Sequence, residues 1–208
     1  MTKPNYAPAR RHLMKVDPRL GAVINRIGPC RLHSVAPRDP FEALTLSIAS
    51  QQLSTKAAAT IFGRFCALFP PNRRPTPHRV MTLGDDEIRG VGFSRPKVAF
   101  IKDLAAHVLD GRLDLKGLKK HPDDEVMRQL VAVKGIGRWT AEIFLMFRLG
   151  RPDILPADDL GLMNAAHRIY GTRKRPTPEQ LRKRGEAWRP YRSVAAWYLW
   201  ASLADGGD

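Results

Sequence analysis

Two adjacent aspartates, Asp158 and Asp159, stand in the segment "LPADDLG", just after a proline-containing turn and just before an apolar helical pattern. An aspartate in such a place can cap a helix, because its side chain accepts from the first unpaired amides. It can also oppose positive charge that develops on a substrate. The two roles are compatible, since the positive end of a helix dipole favours a carboxylate. A second group of residues lies upstream, in "VKGIGRWTAE". Gly135 and Gly137 lack a Cβ, so the chain can turn sharply there and come close to a ligand. Lys134 and Arg138 flank them with positive charge, and unpaired amides at a helix N-terminus suit a phosphate. With apolar helical runs on both sides, the spacing reads as a helical hairpin gripping a nucleic-acid backbone without reading bases. Taken alone, G-x-G is weak evidence, and a plain helix–helix turn is the better reading of it.

Charge favours the phosphate reading. The chain has 208 residues, with 35 Lys+Arg against 20 Asp+Glu, a formal charge of +15 and a pI near 10.5. Such a balance points to a polyanionic partner, nucleic acid before an anionic membrane, although by charge alone a basic, highly soluble enzyme fits as well. With 43% hydrophobic residues there is enough apolar material for a real core. The longest apolar stretch, "VAAWYLWASLA", falls short of the ~20 residues a membrane span needs. The first residues show no apolar signal region, so the expected location is the cytoplasm, with the DNA. Two cysteines, Cys30 and Cys66, cannot build a four-cysteine site, and the six histidines show no ligand spacing. No zinc is expected.

The elements that must position these groups read as helices almost throughout, and the fold class is all-α. Asp39-Pro40 opens one helix, with Glu42 at the capping-box position. The next follows "SQQLS", with Ala57, Ile61, Phe65 and Leu68 on one face. "PPNRRPTPH", Pro70 to His78, is the expected boundary between lobes. Val98, Ile101, Ala105 and Val108 form the stripe of a helix that Asp110-Gly111 stops. Asp123 or Asp124 should cap the helix before the hairpin, and "SVAAWYLWASLA" is the last helix. Between them "GTRKRPTPEQLRKRGEAWRPYRS" concentrates eight basic residues against two acidic ones, a solvated face or a flank lying along DNA.

Together "SIASQQLSTKAA", "VKGIGRWTAE", "LPADDLG" and "WRPYRS…W" resemble, in this order, the helix-hairpin-helix DNA glycosylases, nearest the 3-methyladenine DNA glycosylase II branch. The resemblance runs from about Phe41 to Trp200. It implies a single glycosylase domain of two helical lobes, with the active-site cleft between them. One lobe would span about residues 41–120; the other, residues 121–208 with 1–40, would carry the hairpin and the catalytic aspartate. The implied partner is double-stranded DNA containing alkylated bases, the implied state a monomer.

Carried over residue by residue, the resemblance makes Asp159 the catalytic carboxylate, with Asp158 beside it. Trp139 and Trp200 become walls of the lesion pocket, joined by Ile143 and Leu160. Gln52 becomes the side chain that plugs the gap left by a flipped base, with Leu53 as the alternative. Lys134, Gly135, Gly137, Arg138 and Thr140 would hold the DNA backbone. The main-chain carbonyls of Val131, Val133 and Ile136 would hold a structural monovalent cation. No cofactor is implied for catalysis, and no iron–sulfur cluster. Where family members often carry tyrosines this chain has Ile143 and Leu160, which implies a less aromatic pocket. Strand-cutting branches place a lysine where this chain has Trp139, so the implied enzyme is monofunctional. A non-catalytic DNA-binding protein accounts for the charge and the glycines, but not for Asp159, Trp139, Trp200 and Gln52 at matching places. A membrane-surface protein is the more distant alternative.

Overall fold

The computed structural model describes residues 5–32 and 39–204. In chain order its α-helices are α1 (Ala7–Val16), α2 (Pro18–Ile27), α3 (Pro40–Ser50), α4 (Thr55–Ala67), α5 (Pro77–Thr82), α6 (Asp85–Gly90), α7 (Arg95–Leu109), α8 (Asp123–Val131), α9 (Arg138–Phe144), α10 (Leu160–Tyr170), α11 (Pro178–Gly185) and α12 (Arg192–Ala204). Short 3-10 turns span Leu118–Lys120 and Glu186–Trp188, and a π-helical turn spans Leu145–Leu149. No strand occurs among the described residues, and none of their helices is long and apolar enough to cross a membrane. The all-α expectation holds.

The chain divides into two compact units, Pro37–Phe144 and the paired segments Met1–Ala36 with Leu145–Asp208. This corrects the lobe boundaries expected from sequence. The hairpin belongs with the central segment, because the groups that hold it are there: Gln51, Phe100 and Asp103 all meet residues 134 and 135. The proline-rich stretch from Pro70 lies inside that same unit and leads into α5, which packs on α7.

In the central unit Asp39 caps α3 by accepting from the amides of Phe41 and Glu42, as the sequence predicts. The face of α4 differs from the expected one. Its buried residues are Ala58, Phe62 and Phe65, continued by Phe69, while Ala57, Ile61 and Leu68 are only half-buried. Apolar residues occur on several sides of this helix, and the phenylalanines bring the larger area to bury. Phe65 meets Phe69 and Phe93 edge-on, with centroids 5.0 and 5.2 Å apart. On α7, Val98, Ile101 and Ala105 are buried as predicted, joined by Leu104, while Val108 is only half-buried, and Gly111 at φ +78° follows the helix end. Neither Asp123 nor Asp124 caps α8. The helix begins at Asp123 with Pro122 at the cap position, so the acids fill the first turn and complement the dipole there instead.

In the other unit α10, α12 and α2 pack together around Leu20, Ile24, Leu162, Leu199 and four buried alanines, Ala165, Ala166, Ala195 and Ala196. Such short side chains let helices approach closely. A polar hub sits within this apolar setting. Asp17 is buried, caps α2 through the Leu20 amide, and accepts at Oδ2 from the Tyr170 hydroxyl (2.7 Å) and the Trp188 indole (2.9 Å). Burial, with the Asp17 contact, pushes the Tyr170 hydroxyl well above its ordinary pKa. Tyr170 ends α10 and Asp17 starts α2, so this hub fixes the far end of the helix whose N-terminus carries Asp159.

Candidate active site

Asp159 is the N-cap of α10: its Oδ1 accepts from the Leu162 amide at 2.7 Å. The same oxygen accepts from the Trp200 indole Nε1 at 2.9 Å. One carboxylate oxygen is therefore set by a backbone amide of α10 and a side chain of α12, two elements already locked by the core. Gly161 makes room for this arrangement. A Cβ there would fall 2.9 Å from Asp159 Oδ1 and 3.4 Å from Trp200 Cδ1. Asp159 is half-buried, and the Trp200 ring rests beside Phe147 with centroids 6.1 Å apart. Trp200, expected as a pocket wall, is thus also a hydrogen-bond donor that orients the carboxylate.

The neighbouring aspartate has another partner. Asp158 is exposed and pairs with Arg182 on α11 at 2.5 Å. The two carboxylates diverge, one held at the helix mouth and one tied to surface charge. Leu160 follows Asp159 with 53% of its surface exposed, an apolar side chain left in water.

The basic stretch that follows is partly absorbed by the fold. Arg182 pairs with Asp158, Arg184 lies over the Tyr170 ring at 3.8 Å, and Arg189 and Arg192 both bind Asp153. Arg173, Lys174 and Lys183 extend into solvent. The stretch is less of a bare cationic face than its composition suggests.

The remaining predicted residues lie in the central unit. Gly135 has φ +80°, and a Cβ on it would fall 2.2 Å from Phe100 Cδ2. Glycine is required there by both conformation and packing. Gly137 is different: a Cβ would meet nothing within 4 Å, and no internal contact demands its bareness. The space over Gly137 is where a ligand backbone can approach. Lys134 is exposed, and its amide donates to Asp103 Oδ2 at 2.8 Å. Arg138 donates from Nε to Glu142, a buried carboxylate one turn on, while 66% of the Arg138 side chain stays exposed. Thr140 departs from expectation. It is buried, as position i+3 from Gly137 turns inward on α9, so its hydroxyl is withdrawn from a backbone-binding surface. Trp139, on the outward side, has 45% of its surface exposed, and Ile143 one turn further is half-buried.

Gln52 and Leu53 are both exposed between α3 and α4, and Gln52 adopts φ +57°, a left-handed conformation unusual for a residue with a side chain. Sequence reasoning passed over Gln51, Lys97, Phe100 and Asp103, the residues that support this loop and the hairpin. Gln51 lies inside the "SIASQQLSTKAA" segment, but nothing in its type distinguishes a support from a polar loop residue.

Val133, one of the proposed carbonyl donors, accepts from the Ile136 amide at 3.1 Å, which closes the turn and leaves its second lone pair. Neutral carbonyl oxygens of this kind suit a monovalent cation.

The chain matches known proteins in both sequence and fold. Residues 46–190 match the model of the HhH-GPD superfamily of base excision DNA repair proteins. The chain is 35% identical to the alkylbase DNA glycosidase-like protein mag2 of Schizosaccharomyces pombe, over 94% of this chain and 93% of that one. It superposes on the S. pombe 3-methyladenine DNA glycosylase Mag1 in complex with abasic DNA with a TM-score of 0.86 and 34% identity, covering 97% of this chain and all of that one. It also matches a DNA-3-methyladenine glycosidase from Bacillus halodurans, with a TM-score of 0.88, 36% identity and coverage of 99% and 95%. This chain belongs to the HhH-GPD superfamily of base excision DNA repair proteins.

Proposed function

We propose that this protein is a monofunctional DNA glycosylase of base excision repair that flips alkylated purines of the 3-methyladenine and 7-methylguanine class out of duplex DNA and hydrolyses their N-glycosidic bond. The observation that carries the proposal is the Asp159 carboxylate fixed at the mouth of α10 by the Leu162 amide and the Trp200 indole. Alkylation at a ring nitrogen makes the purine cationic and a good leaving group. As the bond to C1′ breaks, positive charge grows on the sugar, and a preoriented carboxylate stabilises it without reorganising. The same carboxylate orients the water whose oxygen adds to C1′, and it can take up the proton released. The products are a free base and an abasic site.

The other residues have supporting roles in this proposal. Trp139 offers an exposed indole face for the extruded base, where stacking is worth about 1–3 kcal/mol. Ile143, half-buried one turn on from Trp139, and Leu160, exposed beside Asp159, are each assigned apolar contact with the base. Gln52, with Leu53 as its alternative, fills the vacated place in the duplex. Lys134, Arg138 and the amides about Gly135 and Gly137 hold phosphates. The carbonyls of Val131, Val133 and Ile136 would hold a monovalent cation, which would add positive charge to that grip. The protein acts as a monomer on double-stranded DNA.

Indole has no nucleophilic amine, so Trp139 cannot form the Schiff base that precedes strand cleavage. Duplexes carrying one defined lesion should therefore yield free base and an intact abasic strand that breaks only after alkali. Borohydride should trap no covalent adduct. A trapped adduct that disappears on replacing a lysine would refute the monofunctional assignment.

A further inference from the structure

Helix α7 carries three supports at intervals of three residues: Lys97, Phe100 and Asp103. Lys97 Nζ donates to the carbonyls of Ala49 (2.8 Å) and Gln51 (2.7 Å), at the end of α3 where the loop bearing Gln52 begins. Phe100 fills the space beneath Gly135, and Asp103 Oδ2 accepts the Lys134 amide. One helix thus sets both the end of α3 and the turn of the hairpin, with residues spaced about 4.5 Å apart along its axis. Gln51 closes the figure. Its backbone carbonyl is held by Lys97, and its side-chain Nε2 donates across to the Gly135 carbonyl at 2.7 Å. The residue after it, Gln52, is then turned outward at φ +57°.

We propose that Gln51 is a positioning residue that registers the plug loop to the phosphate-gripping hairpin, so that Gln52 meets the duplex at a fixed place relative to the bound backbone. The bond runs from the side chain immediately before the plug to the carbonyl at the centre of the grip. Removing it leaves α7 holding each loop separately and removes the direct tie between them. Binding of undamaged DNA, which needs the hairpin alone, then survives, while extrusion of a paired lesion, which needs plug and grip in register, suffers. This inference rests on the plug role proposed for Gln52.

The test uses Gln51→Met, which keeps length and loses the donor, together with Gln52→Ala and the double variant. Thermal midpoints are measured to confirm that all three fold. Undamaged-duplex affinity, base extrusion reported by a fluorescent base beside the lesion, and single-turnover excision are then compared. Gln51→Met should lower extrusion and duplex excision roughly fivefold, the worth of one intramolecular hydrogen bond. It should leave undamaged-duplex affinity within about twofold and excision of the same lesion from an unpaired bulge unchanged. In the double variant Gln51→Met should add nothing to Gln52→Ala, because a register has no use without its plug. Equal losses on duplex and bulge, a matching loss of undamaged-duplex affinity, or full multiplication of the two effects would overturn the proposal. If neither Gln52→Ala nor Leu53→Ala alters duplex excision, the plug reading itself fails, and that result is separable from the fate of Gln51→Met.

Discussion

Trp200 donates its indole N–H to Asp159 Oδ1 at 2.9 Å, so the aromatic residue on α12 and the carboxylate at the mouth of α10 form one unit. The indole edge is engaged by this bond, a role distinct from stacking through the ring face. Trp200→Phe keeps the ring and deletes the donor. Single-turnover excision should fall about tenfold, the worth of a hydrogen bond to a charged group, with lesion-DNA affinity nearly unchanged. Trp200→Ala should lose affinity as well. Equal excision by Trp200→Phe and the parent would show that the indole N–H has no part in orienting Asp159.

Gly161 lies against both members of that pair. Gly161→Ala would place a methyl group 2.9 Å from Asp159 Oδ1, closer than such contacts tolerate, and the carboxylate would have to move. Alanine's helix propensity partly offsets the weakened Asp159–Leu162 cap, so the fold should be retained at a net cost of about 1 kcal/mol or less. Excision should fall by at least tenfold in a protein whose thermal midpoint shifts only slightly. Unchanged excision kinetics would mean that the carboxylate tolerates displacement.

The two hairpin glycines should behave oppositely. Gly135→Ala meets Phe100 and a positive φ, and should cost about 3 kcal/mol of stability, read as a lower urea midpoint. Gly137→Ala meets nothing within the protein, so stability should hold. Its affinity for undamaged and damaged duplex should fall alike, because backbone contacts carry no sequence information. With roughly 4–6 phosphates neutralised, the parent's log K against log[salt] should have a slope of about −4 to −5. A Gly137→Ala variant with parental affinity would remove the hairpin from its role.

These contrasts mark how far the sequence could be read. The helix start at Asp159 was legible because the proline, the aspartates and the apolar pattern after them define it, while the catalytic assignment of Asp159 over Asp158 rests on the family resemblance. The partner of each aspartate was not, since Trp200 and Arg182 approach from other helices. The phase of α4 was misread because apolar residues surround it, and burial of Phe62 in place of Ile61 depends on Phe65, Phe69 and Phe93 interlocking. Placing the hairpin with the wrong lobe has a similar cause. Gln51 and Asp103 bind it from 84 and 31 residues away, a relation no local pattern carries.

Asp17 tests the scaffold beneath the site. Asp17→Leu removes the cap of α2 and strands the Tyr170 hydroxyl and the Trp188 indole in the core. Unpaired buried donors and a lost cap together should cost about 3–5 kcal/mol, visible as a large fall in the urea midpoint. Because the hub fixes the far end of α10, the fraction still folded should excise at close to the parental rate only if α10 keeps its position. A stability within 1 kcal/mol of the parent would contradict the hub's structural role.

The most direct measurement of the central claim is single-turnover release of 3-methyladenine from a defined duplex by Asp159→Asn beside Asp158→Asn. Asparagine keeps the size of the side chain and an oxygen for the Leu162 and Trp200 donors, and removes the negative charge that the proposal sets against the sugar cation. Loss of electrostatic stabilisation of about 3–4 kcal/mol corresponds to a rate lowered by two to three orders of magnitude, with DNA affinity retained or improved. Asp158→Asn, which disrupts an exposed pair with Arg182, should stay within about threefold of the parent. Parental release by Asp159→Asn, or a larger loss from Asp158→Asn, would contradict the assignment of Asp159 as the catalytic carboxylate.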